Sequence, residues 1–69
     1  MHESEGTIAT VRVDRGFGFI SRGDLPDIFF HVTDLDASLA FDDQLIERRV
    51  VFQEQKTTKG LRALNVRAL

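Results

Sequence analysis

At 69 residues the chain is a single small domain that can bury only about 60% of the surface its unfolded form exposes, so each large apolar side chain matters to the core. The absence of cysteine excludes disulfides and thiolate metal sites and favours a reducing compartment, while eleven acidic against nine basic residues argue against a simple polyanion binder. The acidic start Met1-His2-Glu3-Ser4-Glu5 lacks the basic and apolar regions of a leader, and no run reaches membrane-spanning length. A cytoplasmic protein without a membrane partner is expected, with residues 1–4 as a flexible start and one domain over 5–69.

In chain order, Thr7 to Val13 alternates weakly but is rich in β-branched residues, which favours a first strand. Asp14-Arg15-Gly16 supplies a tight turn, and Phe17 to Ser21 a second strand. Arg22-Gly23-Asp24-Leu25-Pro26-Asp27 is dense in turn residues and leads to a third strand, Ile28 to Val32. Thr33-Asp34-Leu35-Asp36 fits one helical turn capped by Thr33, followed by a polar connection to about Glu47. Arg49 to Gln55 reads as a fourth strand, Lys56-Thr57-Thr58-Lys59-Gly60 as a hairpin loop and Leu61 to Leu69 as a fifth strand. Five short strands without a long helix predict an all-β fold, a five-stranded antiparallel Greek-key barrel.

Aromatic residues recur at alternate positions of the second and third strands, a spacing suited to stacking bases. Phe17, Phe19 and Ser21 share one face; Phe29 and His31 oppose Ile28, Phe30 and Val32. If Ile20, Ile28 and Phe30 face the core, Phe17, Phe19, Phe29 and His31 form an outer cluster that is costly without a function. The inverted second strand, with Phe17 and Phe19 inside, is the commoner arrangement for phenylalanine. Gly18, a small position that suits the inside, and His31, better placed on a wet face, favour the outer cluster. Charge is segregated too. No Lys or Arg occurs between Gly23 and Glu47, whereas basic residues lie on both sides of that acidic stretch. A barrel can gather those flanks into one positive stripe, although a mixed solvated surface explains the charge alone more simply.

Gly6-Thr7-Ile8, Arg15-Gly16-Phe17-Gly18-Phe19-Ile20, Asp27-Ile28-Phe29-Phe30-His31, Val50-Val51-Phe52, Lys59-Gly60 and Ala63-Leu64-Asn65-Val66 resemble, in order and nearly in register, the pattern of bacterial cold-shock proteins across about residues 5 to 69. The resemblance implies an oligonucleotide-binding (OB-fold) barrel, two ribonucleoprotein motifs on adjacent strands, and exposed aromatics that bind single-stranded RNA or DNA. It also implies a role as an RNA chaperone or regulator of transcription or translation. The chain departs from the pattern in four places. Ala9-Thr10-Val11 stands where the family has a basic residue and a stacking Trp, Val32 replaces a further Phe, Asp34-Leu35 replaces a small residue followed by Ile, and Asp42 or Asp43 replaces a basic residue beside Phe41.

The implied interface comprises Phe17, Phe19, Phe29 and His31 as stacking groups, with Phe41 from the long connection. Arg12, Arg15, Arg22 and Lys59 are the phosphate contacts, with Arg62 a further candidate. Low sequence specificity is expected, because every base has a π-face. The competing reading is a protein-interaction module using the acidic 23–47 stretch. No nucleophile–base pair or metal-ligand spacing is present, so neither an enzyme, a cofactor nor a small-molecule substrate is expected. His2 is read as a disordered terminal residue and Asp42-Asp43 as a solvated loop rather than a cation site. A monomer is expected, with a strand-exchanged dimer through the long connection as the alternative.

Overall fold

The computed structural model describes residues 3–69; the reading of His2 falls outside them. Five strands are present: β1 (Ser4–Arg12), β2 (Phe17–Arg22), β3 (Leu25–His31), β4 (Arg49–Thr57) and β5 (Gly60–Ala68). They close a barrel in the order β1-β2-β3-β5-β4, with β4 pairing back onto β1. Four of the five seams are antiparallel, as expected. The β3–β5 seam runs parallel and is short, with Phe29 opposite Arg62. Closure removes the unpaired strand edges that would otherwise recruit other chains.

Ile8, Ile20, Ile28, Phe30, Val50, Phe52 and Val66 fill the interior and are essentially inaccessible to solvent. Two bulges keep that interior apolar. In β1 the register shifts between Ile8 and Thr10, so Ala9 is the extra residue. Val11 then faces inward against the core, while Thr10 and Arg12 turn outward beside Phe19 and Phe17. The weak alternation of this segment is the sequence trace of that bulge, since one extra residue exchanges the two faces. In β5, Asn65 adopts φ 54° where Leu64 and Arg67 pair with Gln53 and Val51, and the irregularity brings both Ala63 and Val66 inside.

Strand ends differ from the sequence reading where turn-forming residues proved to be strand residues. Ser4 is already in β1, opposite Phe52. The β2–β3 reversal needs only Gly23-Asp24, Gly23 taking φ 69°, so β3 begins at Leu25 rather than Ile28. Pro26 is tolerated near the strand start because it lacks only a donor. The β4–β5 hairpin is likewise shorter, with Thr57 opposite Gly60. The helical turn after β3 is a 3-10 turn, Val32–Asp34, capped by His31 and not by Thr33. A second 3-10 turn, Asp43–Leu45, is capped by Asp42, which accepts from the Gln44 amide at 2.9 Å and so spends one carboxylate oxygen within the loop.

Candidate nucleic-acid interface

The β2–β3 ladder pairs Phe17 with His31 and Phe19 with Phe29, and strand alternation turns all four side chains away from Ile20, Ile28 and Phe30. The inverted arrangement is therefore not adopted. Phe17, Phe19, Phe29 and His31 are each half-buried. The three rings brace one another at centroid separations of 5.6–6.0 Å: Phe17 and Phe29 lie tilted by 35°, and Phe19 meets both nearly edge-on. Gly18 makes this ladder possible. A Cβ there would lie 2.4 Å from the Thr10 carbonyl oxygen and 2.7 Å from the Phe30 ring, so the strand between the two outer rings approaches its neighbours as only glycine permits.

His31 ends β3 and caps the following turn. Its Nδ1 accepts from the Thr33 amide at 3.2 Å and lies 2.9 Å from Thr33 Oγ1, while its own amide donates to Asp34 Oδ2 at 2.9 Å. With Nδ1 accepting from a backbone amide, the hydrogen bonds assign the ring proton of the neutral form to Nε2. Imidazole orientation is thus held by the turn and not by a neighbouring ring.

The cations divide into two groups. Arg22, Arg49, Arg62 and Arg67 pair with Glu54, Glu5, Asp34 and Glu3 respectively. Among the described residues, Arg12, Arg15, Arg48, Lys56 and Lys59 have no carboxylate within ion-pair distance. Arg12 adjoins Phe17 across the β1–β2 ladder, and Arg15 is exposed in the turn before it. Lys59 stands at the tip of the β4–β5 hairpin, on a groove shared with Phe29, His31, Thr57, Leu61 and Arg62. Unpaired cations accordingly flank the three-ring surface on two sides.

Two residues from the sequence reading lie elsewhere. Arg22 donates to Glu54 Oε2 at 3.2 Å and to the Pro26 carbonyl at 2.8 Å, with its side chain only 8% exposed. Together with the bond from Ser4 Oγ to Glu54, it ties β1, β2, β3 and β4 at one end of the barrel. Phe41 packs against the core, its ring edge-on to buried Phe30 at 6.3 Å and outside the trio of rings.

The sequence reading missed the bidentate pair of Arg62 with Asp34, at 2.7 and 3.1 Å. The Asp34 carboxylate raises the Arg62 pKa above its ordinary value. The two residues are 28 positions apart and meet only because β3 and β5 run side by side, a pairing without a local sequence signal. Among the described residues there is no cluster of metal-ligating side chains, and no helix is long and apolar enough to cross a membrane.

Comparison with known proteins gives concordant matches. Residues 4–69 match the family described as 'Cold-shock' DNA-binding domain. A "Cold shock-like protein" of Aquifex aeolicus (strain VF5) is 40% identical over 65 residues, covering 93% of this chain and 91% of that protein. Among solved structures, "drosophila Unr CSD456" superposes with a TM-score of 0.78 at 30% identity over 99% of this chain, which spans 27% of that longer one.

Proposed function

Since the chain belongs to the 'Cold-shock' DNA-binding domain family, we propose that it binds single-stranded RNA or DNA across β2 and β3, stacking unpaired bases on Phe17, Phe19 and Phe29. The observation that carries this reading is the cluster of three mutually braced, half-buried rings on the outside of a closed barrel, flanked by cations that no carboxylate neutralises. Each ring offers a face to one base, a contact of about 1–3 kcal/mol that is tolerant of base identity. His31 lies in line with them across from Phe17. Arg12, Arg15 and Lys59 hold the phosphates and fix the path of the strand without reading it.

A duplex keeps its base faces stacked inside, so the surface selects unpaired strands. A protein that holds single strands shifts RNA away from hairpins by mass action. On this reading the chain acts as an RNA chaperone or a regulator of transcription or translation in the cytoplasm, by binding and without catalysis. Arg22, enclosed by Glu54 and Pro26, serves the barrel, and Phe41 serves the core.

Anisotropy of a labelled heptathymidine tests the reading; an extrinsic label is needed because the chain has no Trp. Saturable binding of the single strand, weak or absent binding of a duplex of the same length, and a loss of about 1–3 kcal/mol in Phe19→Ala are expected. Equal binding of both forms, or an unaffected Phe19→Ala, contradicts it. If a protein partner occupied the acidic stretch instead, the single strand would leave all three rings unperturbed.

A further inference from the structure

The groove between β3 and the β4–β5 hairpin holds an arginine whose geometry suits reading a base more than holding a phosphate. Arg62 is opposite Phe29 on the parallel seam and lines the same groove as Phe29, His31 and Lys59. Its Nε and Nη2 are engaged by the two oxygens of Asp34 at 2.7 and 3.1 Å. Asp34 is itself nearly enclosed, its side chain 7% exposed, and it also accepts from the His31 amide. The carboxylate is therefore fixed by the turn and cannot follow Arg62 outward. Releasing the arginine would leave an enclosed charge short of its donors, a costly state.

This arrangement leaves one edge of the guanidinium free. Nη1 and the second proton of Nη2 make no hydrogen bond to the described residues, and the Arg62 side chain is 36% exposed. That edge carries two parallel N–H donors in a fixed plane. Asp34 offsets the positive charge, which weakens attraction to phosphate, but it leaves the direction and spacing of the two donors intact. Guanine presents the matching acceptors, O6 and N7, side by side.

We propose that Arg62, buttressed by Asp34, is a specificity residue that selects guanine in the nucleotide stacked against Phe29. This rests on the single-strand reading above and adds base discrimination to a surface otherwise tolerant of sequence. Phe29 supplies the stacking face, the guanidinium edge pairs with O6 and N7, and Lys59 faces the backbone. Thymine and uracil lack two adjacent acceptors on one edge and gain only the stacking.

The test compares labelled heptathymidine with strands carrying one central guanine, adenine or cytosine, for the unaltered chain and for Arg62→Lys, Arg62→Ala and Asp34→Asn, each checked for folding by thermal melting. The guanine strand is expected to bind about five-fold or more tighter than heptathymidine, the lower end of what a bidentate pair discriminates. Arg62→Lys keeps the charge but not the planar pair of donors, and should bring the ratio of guanine-strand to heptathymidine affinity to about one. Asp34→Asn should shrink the preference by freeing the guanidinium to rotate. Equal affinity of the unaltered chain for all strands, or a preference for adenine or cytosine, overturns the proposal. So does a uniform loss in Arg62→Ala together with a salt slope lower by roughly 0.7, the signature of a phosphate contact. Failure of every strand to bind would instead overturn the single-strand reading itself.

Discussion

Single positions carry much of the surface's chemistry. Thr10 stands opposite Phe19 on the outer face, brought there by the bulge at Ala9. Thr10→Trp should add one stacking platform and tighten heptathymidine binding by about 1–3 kcal/mol, measurable by anisotropy. An unchanged affinity would put Thr10 off the path of the strand. Gly18 is constrained from the other side of the sheet. Gly18→Ala places a methyl group against the Thr10 carbonyl and the Phe30 ring and should lower unfolding stability by about 1–3 kcal/mol or more in denaturant titrations, the usual cost of overpacking. Arg22→Ala should lower the melting temperature while leaving oligonucleotide affinity within about two-fold, because its guanidinium is bonded within the barrel.

At the scale of elements, the outward rings were legible from alternation, the small inward Gly18 and the match of two motifs at the right separation. The five strands and their order of appearance followed from β-branched runs broken by turn residues. Besides the Arg62–Asp34 pair, three features were not legible, and each depends on the strand pairing around it. Ala9 as a bulge is invisible until β1 has a partner to be out of register with. Phe41 reads as a loop aromatic until Phe30 is placed beneath it. His31 as the cap of Val32–Asp34 was hidden because Thr33 is the commoner capping type, and only the end of β3 decides which residue lies at the boundary. The connection that follows is held by Asp36, which accepts from the Ser38 hydroxyl and amide. Those bonds chiefly, with a minor contribution from Arg67, hold its pKa below the ordinary 3.8. Because the folded value is the lower one, the stabilisation is complete well above 3.8 and is lost as pH falls through the folded pKa. The protection factors of the Ser38 and Leu39 amides, corrected for the intrinsic exchange rate at each pH, should fall over that acid range, and Asp36→Asn should remove the dependence.

Across the whole molecule, a net charge of −2 is compatible with the proposed strand-binding surface: four arginines are paired with carboxylates around the barrel, while Arg12, Arg15 and Lys59 stay unpaired beside the rings. With roughly three to four phosphates neutralised, log affinity should fall with log salt at a slope of about −2 to −3. A markedly steeper slope would mean that the ion-paired arginines exchange their carboxylates for phosphates on binding. On the proposed reading, the acidic stretch between Gly23 and Glu47 repels duplex phosphates and leaves stacking as the main attraction. The most direct measurement is an NMR titration of the phenylalanine ring resonances with heptathymidine. Shifts of Phe17, Phe19 and Phe29, with Phe30 and Phe52 stationary, are the predicted result; stationary outer rings, with changes confined to the amides of Asp42 to Glu47, would contradict base stacking on β2 and β3.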